Sequence, residues 1–421
     1  MNTHQIEIMA PVGSYESLMA AIQGGAGSVY FGVEHLNMRA RSSNNFTLED
    51  LLKITAIASK HQVKTYLTLN TEVFDTEMGI MQQVLQAAMD AGVSAVIAAD
   101  MSVILQARAI GLEVHISTQV NITNFEVVKF YSQFADVVVL AREMNLGRVH
   151  EISRQIREQQ VKGPSGNLVR IEMFVHGALC MAVSGKCYLS LHEMNSSANR
   201  GSCLQTCRRA YVVTDKETGA EIEVDNEYIM SPKDLKTVHF LNKILDSGVS
   251  VLKIEGRARS AEYVKTTVEC YREATEAWKN HDFTDDKVTE WNQRLATVFN
   301  RGFWDGYYLG QRLGAWSHNY GSLATKRKVY LGRGTNYFPN IRVAEFKLET
   351  GNLAVGDEIM VIGPTTGVVE TTVQEIRVDL KPVELAKKGE RISIQINEKI
   401  RRSDKLFKLV DAKTLKENVR K

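Results

Sequence analysis

Short β-branched apolar runs alternate with amphipathic stretches from the start of the chain to about residue 257. The eight runs are IEIMAPV, SVYFGV, KTYLTLN, AVIAAD, EVHISTQ, DVVVLA, RIEMFVH and VLKIEGR. This alternation is typical of parallel strands joined by helices, because a parallel connection needs a crossover. Eight such units predict a TIM-like (β/α)8 barrel. No GxGxxG follows the first run, which argues against a dinucleotide-binding sheet.

The regular alternation of strands and helices is interrupted between the seventh and eighth runs, where about 75 residues intervene. That length is too great for a strand-to-helix connection, so it predicts an insertion at about 177–250. Beyond Ser317 the pattern changes to alternating polar and apolar residues in six short runs, beginning with KVYLGRG and ending with KLFKLV. We therefore predict a catalytic domain over 1–317 and a small C-terminal β-barrel domain over 318–421.

The amino terminus has no basic segment followed by a long apolar run, and nowhere do eighteen apolar residues follow one another. These features predict a soluble cytoplasmic protein that has no membrane partner.

Charged residues are unevenly distributed along the chain. Residues 386–421 hold 12 Lys and Arg against 5 Asp and Glu, a net +7, whereas the remainder carries −5. A basic end suits a nucleic-acid-binding appendage, and it suits an ordinary solvated surface equally well.

Four of the five cysteines fall within 28 positions: Cys180, Cys187, Cys203 and Cys207. The intervening segments are six, fifteen and three residues long, and the first is too wide for a paired zinc knuckle. Irregular spacing within one loop suits an iron–sulfur cluster, while zinc and unrelated thiols remain alternatives. A cytoplasmic setting disfavours disulfides. Cys270 stands apart on a helical pattern and is interpreted as a core residue.

Several strands end in polar groups, at the place where TIM barrels carry their reacting side chains. Lys253, Glu255 and Arg257 alternate at period two and therefore share one face of the eighth strand. Three charges inside a barrel are costly unless they pair or bind something, so we interpret them as functional. The two other strand ends of interest contribute His115 and Gln119, and Glu172 and His176.

Arginines form a second pattern near the predicted mouth. Arg39 and Arg41 follow the second run, and Arg208 adjoins the last clustered cysteine. Guanidinium groups there suit carboxylate or phosphate recognition, with ordinary salt bridges as the alternative.

Two protease motifs are missing from the sequence. The stretch HEMNS lacks the second histidine of the zinc-binding motif HExxH, and there is no GxSxG motif of a serine nucleophile.

The stretch EMFVHGALCMAVSGKCYLS resembles the signature of the peptidase U32 family, the collagenase-like proteases. Further resemblance lies in APVGSYESLMAAIQGGAGSVYFG, NMRAR, HISTQ, NRGSCLQTCR, SPKDL and KIEGRARSAEYV, and it extends to about residue 315. The tail, with LAVGDEIMVIGP, looks like that family's elongation-factor-like domain.

The resemblance implies that the four clustered cysteines bind a 4Fe-4S cluster. Similarity to the tRNA branch implies 5-hydroxylation of the wobble uridine of tRNA, with prephenate as oxygen source. From the residues themselves we assign catalytic or proton-handling candidates at Glu172, His176, Lys253 and Glu255. The candidates for binding RNA phosphate and a small dicarboxylate are Arg39, Arg41, His115, Gln119, Arg208 and Arg257, with Lys253 able to contribute. A metal-dependent peptidase and a non-catalytic Fe–S or RNA-binding accessory protein are the alternative functions.

Overall fold

The structure is a computed structural model that describes residues 6–40, 45–209, 212–219, 221–222, 231–311, 314–317 and 321–413. Eight parallel strands form its first domain: β1 Glu7–Pro11, β2 Ser28–Phe31, β3 Lys64–Leu69, β4 Ala95–Ala98, β5 Glu113–Ile116, β6 Val137–Val139, β7 Arg170–Gly177 and β11 Val251–Ile254. Each strand pairs with the next, and β11 pairs with both β1 and β7. These pairings close the cylinder, so the predicted TIM-like barrel is confirmed.

Helices surround the barrel and bury their apolar faces against it. They are α1 Tyr15–Gly24, α2 Asp50–Lys60, α3 Met78–Asp90, α4 Met101–Ala109, α5 Phe125–Tyr131, α6 Leu146–Glu158, α8 Leu241–Asp246, α9 Ala261–Lys279 and α10 Asp285–Thr297. Several begin at a side-chain cap. The Ser14 hydroxyl accepts from the backbone N–H of Ser17, and the Asp100 carboxylate accepts from that of Ser102. Such caps stabilise a first turn whose N–H groups have no partner within the helix. No helix in the described ranges combines the length and the apolar character needed to span a membrane.

The segment between β7 and β11 emerges at the carboxyl end of the barrel. It contains α7 Leu189–Met194, β8 Val213–Thr214, β9 Glu221–Ile222 and β10 Asp234–Lys236. Strand β10 runs antiparallel to the end of β7 and pairs with β12 Phe303–Trp304. Single turns of 3-10 helix occupy Asp75–Glu77, Thr118–Val120, Ala198–Arg200, Thr206–Arg208 and Val238–Phe240.

A β-bulge lies where β7 meets β11. Phe174 pairs with Lys253, but the next pair joins His176 to Ile254, so Val175 is an extra residue in β7. Side chains alternate along a strand, and one added residue therefore reverses which face the following residues occupy. Glu172 and Phe174 point into the barrel, whereas His176 lies outside it among Tyr263, Tyr271 and Phe303.

The C-terminal part is antiparallel. Its sheet comprises β13 Lys326–Phe338, β14 Val343–Leu348, β16 Glu358–Gly363, β17 Gly367–Thr372, β18 Ile376–Val378, β19 Lys381–Val383, β21 Arg391–Gln395 and β22 Lys405–Asp411. A separate ribbon joins β15 Leu353–Ala354 to β20 Leu385–Ala386. The sheet encloses its own apolar core, which includes Phe346, Ile392 and Leu406. The predicted β-domain is confirmed as a fold. Within 321–413, the pairings leave β17 and β19 as the two sheet edges.

The two domains share an interface along α1 and α9. The Gln23 amide donates to the Thr366 carbonyl and accepts from the Val368 N–H, both at 2.9 Å. The Lys265 ammonium donates to the Val368 carbonyl at 3.0 Å. Val368 and Met360 also belong to the apolar cluster of the barrel, so the β-domain packs directly onto the outer helices.

Gly177, at the end of the bulged strand, is predicted to be essential for barrel stability. Its φ is +105°, and a Cβ there would overlap the carbonyl oxygen of Glu255. We expect Gly177→Ala to lower the free energy of unfolding by roughly 2–4 kcal/mol, because both strain and backbone overlap must be relieved. Urea denaturation of the purified variant measures this.

Gly92→Ala is the matched control for that experiment. Gly92 also has a positive φ, of +71°, yet nothing lies within 4 Å of the added Cβ. It should lose only about 1 kcal/mol, the cost of the left-handed conformation alone. Equal losses in the two variants would show that the close approach to Glu255 is unimportant.

Candidate functional site

A buried ion pair joins β7 to β11 inside the barrel. The Lys253 Nζ donates to Glu172 Oε1 at 2.7 Å, and the two residues are 5% and 0% exposed. Burial lowers the pKa of Lys253, while the Glu172 carboxylate opposes that shift. The ammonium also lies 4.8 Å from the centre of the Tyr30 ring and 5.4 Å from that of Phe174. Charge of both signs is thus held in a dry, aromatic-walled space, where electrostatic effects are strong.

His115 lies on the other side of Glu172. The His115 Nδ1 is 3.9 Å from Glu172 Oε2, and among the described residues neither atom has a hydrogen-bond partner. The other ring nitrogen, Nε2, is 3.3 Å from Glu113 Oε1, and the imidazole packs against Tyr66 at 4.4 Å between ring centres. Glu172 therefore stands between a lysine and a histidine, an arrangement that can move a proton.

The amino-terminal end of the barrel carries a second ionic group. Glu7 accepts a hydrogen bond from the Tyr66 hydroxyl at 2.6 Å and pairs with Arg170 at 2.9 Å. Burial alone would raise the pKa of Glu7, but Arg170 and Tyr66 lower it to about 2. This carboxylate is ionised at neutral pH, and its hydrogen bond fixes the position of the Tyr66 hydroxyl.

At the mouth, Glu255 pairs with Arg39. The Arg39 Nη2 is 3.0 Å from Glu255 Oε1, and the Ala178 N–H donates to Oε2 at 3.3 Å. Burial would raise the pKa of Glu255, but Arg39 outweighs it together with Arg259 and Arg142, so the pKa is lowered. Glu255 is accordingly a fixed negative charge, better suited to orienting cations than to donating a proton.

Arg257 is buried next to this pair and is bonded by the protein itself. Its Nη1 donates to the Thr68 hydroxyl at 2.9 Å and to Asn37 Oδ1 at 3.1 Å. Burial lowers the pKa of Arg257 to about 10. The bonds tie β3 to the loop after β2, so Arg257 positions that loop as well as adding charge to the mouth.

Arg142 is a mouth residue that the sequence interpretation missed. Its Nε and Nη1 are buried and have no hydrogen-bond partner in the described part of the chain. Its guanidinium lies 4.2 Å from the centre of the Phe174 ring. A buried guanidinium with open donors is expensive unless an anion binds to it. Arg142 comes directly after the sixth apolar run, so the rule that inspects strand ends could have found it.

The clustered cysteines lie in the segment that follows β7, and two of them act electrostatically on Arg39. Cys180 is exposed, and the three others are half-buried. Burial raises the pKa of Cys207, and the charges of Cys180, Cys203 and Cys187 raise it further, so the four thiols interact. Burial lowers the pKa of Arg39, but Glu255, Cys180 and Cys203 raise it overall, which relates these cysteines to the arginines of the mouth.

The thiols suit a thiolate-bound group in their chemistry, because sulfur is a soft donor and two of the cysteines, Cys180 and Cys203, act electrostatically on Arg39. Within the described ranges, however, no three histidine, cysteine, aspartate or glutamate side chains are arranged so that they could hold a metal ion. Ligation by these four residues thus stays a prediction. Cys270 is buried on α9, and burial raises its pKa to about 12, as expected of a core thiol.

Two other candidates, Arg208 and His176, make their contacts with other groups of the protein itself. Arg208 donates to the carbonyl oxygens of Leu179 at 2.6 Å and Pro232 at 2.8 Å, and to the Ser231 hydroxyl. It therefore ties the Cys207 turn to the residue before Cys180. His176 lies outside the barrel because of the bulge, and burial lowers its pKa to about 3, so it is neutral at physiological pH.

The remaining candidates are Gln119 and Arg41. Gln119 follows β5 at the mouth, where its Oε1 accepts from the Ser117 hydroxyl at 2.8 Å, and it lines a cavity. Arg41 lies outside the described residues. The structure thus brings together Glu172, Lys253, His115, Glu255, Arg39 and Arg257, and it separates His176 from them.

We expect the Lys253 and Glu172 charges to depend on each other. Lys253→Met should lower the free energy of unfolding by about 3–5 kcal/mol, because it leaves a buried carboxylate unpaired. The double variant Glu172→Gln with Lys253→Met should be more stable than this single variant. Urea denaturation of the two singles and the double measures the coupling, and strictly additive losses would contradict the pairing.

Glu7 should make stability depend on acid pH. Its pKa in the folded protein, about 2, is below the ordinary 4.5, so its contribution is present above pH 4.5 and is lost as pH falls towards 2. The shift corresponds to about 3 kcal/mol. The stability difference between wild type and Glu7→Gln should therefore narrow as pH falls from 4.5. A constant difference in denaturation at pH 7, 4.5 and 3.5 would contradict the assignment.

Comparison with known proteins gives both of the names anticipated above. The chain is 60% identical over 408 residues to a "Collagenase" of Porphyromonas gingivalis, covering 97% of this chain and 99% of that protein. It is 32% identical over 372 residues to "tRNA hydroxylation protein P1" of Bacillus subtilis, covering 86% and 84%. The solved structure of the U32 peptidase Mk0906 aligns with a TM-score of 0.39 and 14% identity, covering 61% of this chain and 95% of that one.

The sequence profile described as Peptidase family U32 matches residues 13–318. That range holds seven of the eight barrel strands, the cysteine segment and every catalytic, binding and cluster-ligand candidate that the sequence named; β1 Glu7–Pro11 lies just before it. The resemblance read from the sequence is confirmed, and the chain belongs to peptidase family U32.

Proposed function

We propose that the protein is an RNA-modifying enzyme that hydroxylates the wobble uridine of tRNA at C5, with prephenate or a related small dicarboxylate as the oxygen source. The observation that carries this proposal is the half-buried Arg142 after β6, whose Nε and Nη1 are buried and have no hydrogen-bond partner among the described residues. Arg39 and Arg257 add to that charge, and an anionic co-substrate would satisfy it. The relative named as a tRNA hydroxylation protein supports the choice of RNA.

In this proposal Cys180, Cys187, Cys203 and Cys207 hold a 4Fe-4S cluster, with zinc as the alternative. A bound cluster would supply electron transfer or Lewis acidity at the mouth. The protein's own groups have separate roles. Arg142 and Arg39 hold the carboxylates of the co-substrate, and Glu172 takes up the proton released from C5 and shares it with His115, while Lys253 stays protonated beside it.

The β-domain supplies a basic surface that suits the body of an RNA. A turn at 398–405 exposes Lys399, Arg401, Arg402 and Lys405. The buried Asp404 fixes this turn, because it accepts from the Arg401 N–H at 2.8 Å and from the Thr366 hydroxyl at 2.5 Å. A rigid basic turn binds phosphates without losing much conformational entropy.

A peptidase remains the second candidate, because the relative from Porphyromonas gingivalis is named a collagenase. The contacts of the two histidines give little support to a peptidase. His115 contacts carboxylates and a tyrosine, and His176 contacts tyrosines and a phenylalanine. Purified wild type that cleaves gelatin, with Glu172→Gln unable to do so, would favour this candidate over RNA hydroxylation.

The proposal is tested in a deletion strain that carries plasmid copies of the gene. We expect tRNA from the deletion strain to lose 5-hydroxyuridine derivatives, as measured by mass spectrometry of its nucleosides. Wild type should restore them, and Cys180→Ala and Arg142→Met should not, because one removes a cluster ligand and the other the anion-binding donors. Unchanged nucleosides in the deletion strain would exclude this function.

Matched controls separate these roles from folding. Cys270→Ala removes the core cysteine, and Arg148→Met removes an exposed arginine of α6, so both should restore the modification. Iron and sulfide analysis of anaerobically purified protein, with its absorption spectrum, should show a cluster in wild type and Cys270→Ala and its loss in Cys180→Ala. Reconstitution of hydroxylation from this chain alone would rule out a purely accessory role.

A further inference from the structure

A chain of polar contacts connects the buried Glu172 to the protein surface. Glu172 Oε2 lies 3.9 Å from His115 Nδ1, and the other ring nitrogen, His115 Nε2, lies 3.3 Å from Glu113 Oε1. Glu172 and His115 are both 0% exposed, whereas 46% of the Glu113 side chain is exposed. An imidazole thus joins a carboxylate that water does not reach to one that water does reach.

The exposed end of this chain is at the opposite side of the barrel from the mouth. Glu113 is the first residue of β5, whereas the mouth lies at the carboxyl ends of the same parallel strands. Side chains two residues apart on a strand share a face, so Glu113 and His115 point in the same direction. A proton that leaves through Glu113 therefore does not cross the space assigned above to the RNA and the co-substrate.

The contact with Glu113 decides which nitrogen of a neutral His115 carries the proton. Burial would raise the pKa of Glu113, but the hydrogen bond and charge of His115, together with Lys64, lower it overall. An ionised carboxylate only accepts hydrogen bonds, so Nε2 is the donor in this contact. In the neutral ring Nδ1 then has no proton, and it faces Glu172 as an acceptor.

Two acceptors therefore face each other in a dry space. Neither Glu172 Oε2 nor His115 Nδ1 has a hydrogen-bond partner among the residues that the structure describes, and both atoms are buried. A buried acceptor without a donor costs about 1–3 kcal/mol. One proton placed between the two atoms satisfies both of them. We expect the 3.9 Å separation to shorten when that proton arrives, because catalytic hydrogen bonds are often long in unliganded enzymes.

The other titratable groups packed around this chain make contacts among themselves. The Tyr66 ring packs on His115, but its hydroxyl donates to Glu7 at 2.6 Å. Glu7 in turn pairs with Arg170 at 2.9 Å and lies 3.9 Å from the Lys64 Nζ. In the described ranges, the carboxylates within 4.0 Å of the imidazole nitrogens are therefore the two already described.

Resting on the function proposed above, we propose that His115 and Glu113 are a proton relay that carries the proton taken up by Glu172 to solvent at the amino-terminal end of the barrel. The Glu172 carboxyl passes its proton to Nδ1, Nε2 passes its own proton to Glu113, and Glu113 releases it to water. One proton enters the ring and one leaves it, so the ring proton is left on Nδ1. The reverse transfers restore the first tautomer when Glu172 gives a proton back.

The first test follows the His115 ring proton by NMR in the full-length protein made with isotope-labelled histidine, with His115→Gln to assign the signal. This proton should exchange with water although the ring is 0% exposed. Glu113→Gln should slow the exchange by about a hundredfold, the lower end of what a positioned acid or base contributes. Glu113→Asp keeps a carboxylate and should give an intermediate rate.

Asp90→Asn is the matched control for this experiment. Asp90 is an exposed carboxylate at the end of α3, the helix that leads into β4 at the same end of the barrel, so its loss should leave the His115 exchange rate unchanged. His176 is an internal reference, because it is also buried but lies beside the Tyr271 hydroxyl, and its exchange should be the same in every variant. Thermal unfolding of each variant confirms that it is folded.

The second test connects the relay to the reaction. In single-turnover hydroxylation of an anticodon stem-loop RNA, Glu113→Ala should be slower than wild type. Added formate, a small carboxylate that fits the space left by the shortened side chain, should restore the rate in proportion to its concentration. If Glu113 only supports the structure, the rate of the variant stays low at every formate concentration, and that result would contradict the relay.

The outcomes distinguish this inference from the proposed function. Equal exchange rates in wild type and Glu113→Gln would overturn the relay even if tRNA from cells is hydroxylated. A His115 ring proton that does not exchange with water in wild type would overturn it as well. If the deletion strain keeps its hydroxylated uridine, the proposed function fails, and the NMR exchange rates still decide whether protons pass between His115 and solvent through Glu113.

Discussion

The Lys253–Glu172 ion pair is the interaction on which the interior of the barrel depends. It joins the seventh and eighth barrel strands, whose pairing closes the cylinder, and it is removed from water. Buried charges are tolerated only when they are compensated, so the surrounding residues must be polar or aromatic in particular places. His115, Tyr66 and Glu7 follow in turn below Glu172, and the aromatic rings of Tyr30 and Phe174 shield the lysine.

The bulge at Val175 decides which residues of β7 face the interior of the barrel. It keeps Glu172 inside the barrel and sends His176 outside, and Gly177 then lets the chain pass closely over the Glu255 carbonyl. The cysteine segment starts immediately afterwards, and Arg208 ties its two ends together through the Leu179 and Pro232 carbonyls. The geometry of one strand end thereby sets where the cysteine segment leaves the barrel.

Membership of one family does not decide between two chemistries, since relatives of this chain are named for collagen cleavage and for tRNA hydroxylation. The side chains of the mouth favour the second. The two Arg142 nitrogens that have no partner among the described residues suit an anion, whereas peptide hydrolysis needs an activated water or nucleophile. Function on a TIM barrel is set by the residues at its carboxyl end, so these contacts are more informative than the fold.

The sequence by itself determined the barrel, the antiparallel β-domain and the family, because hydrophobic periodicity and local motifs are properties of contiguous residues. It also identified Lys253, Glu172 and the cysteines as unusual. Only the tertiary structure decided which of them meet. A single extra residue in β7 removed His176 from the site, and backbone carbonyls accept the Arg208 hydrogen bonds. Arg142 gained importance because two of its nitrogens are buried without a partner in the described part of the chain. Bulges, partner choice and burial arise from residues distant in the chain, and no local pattern encodes them.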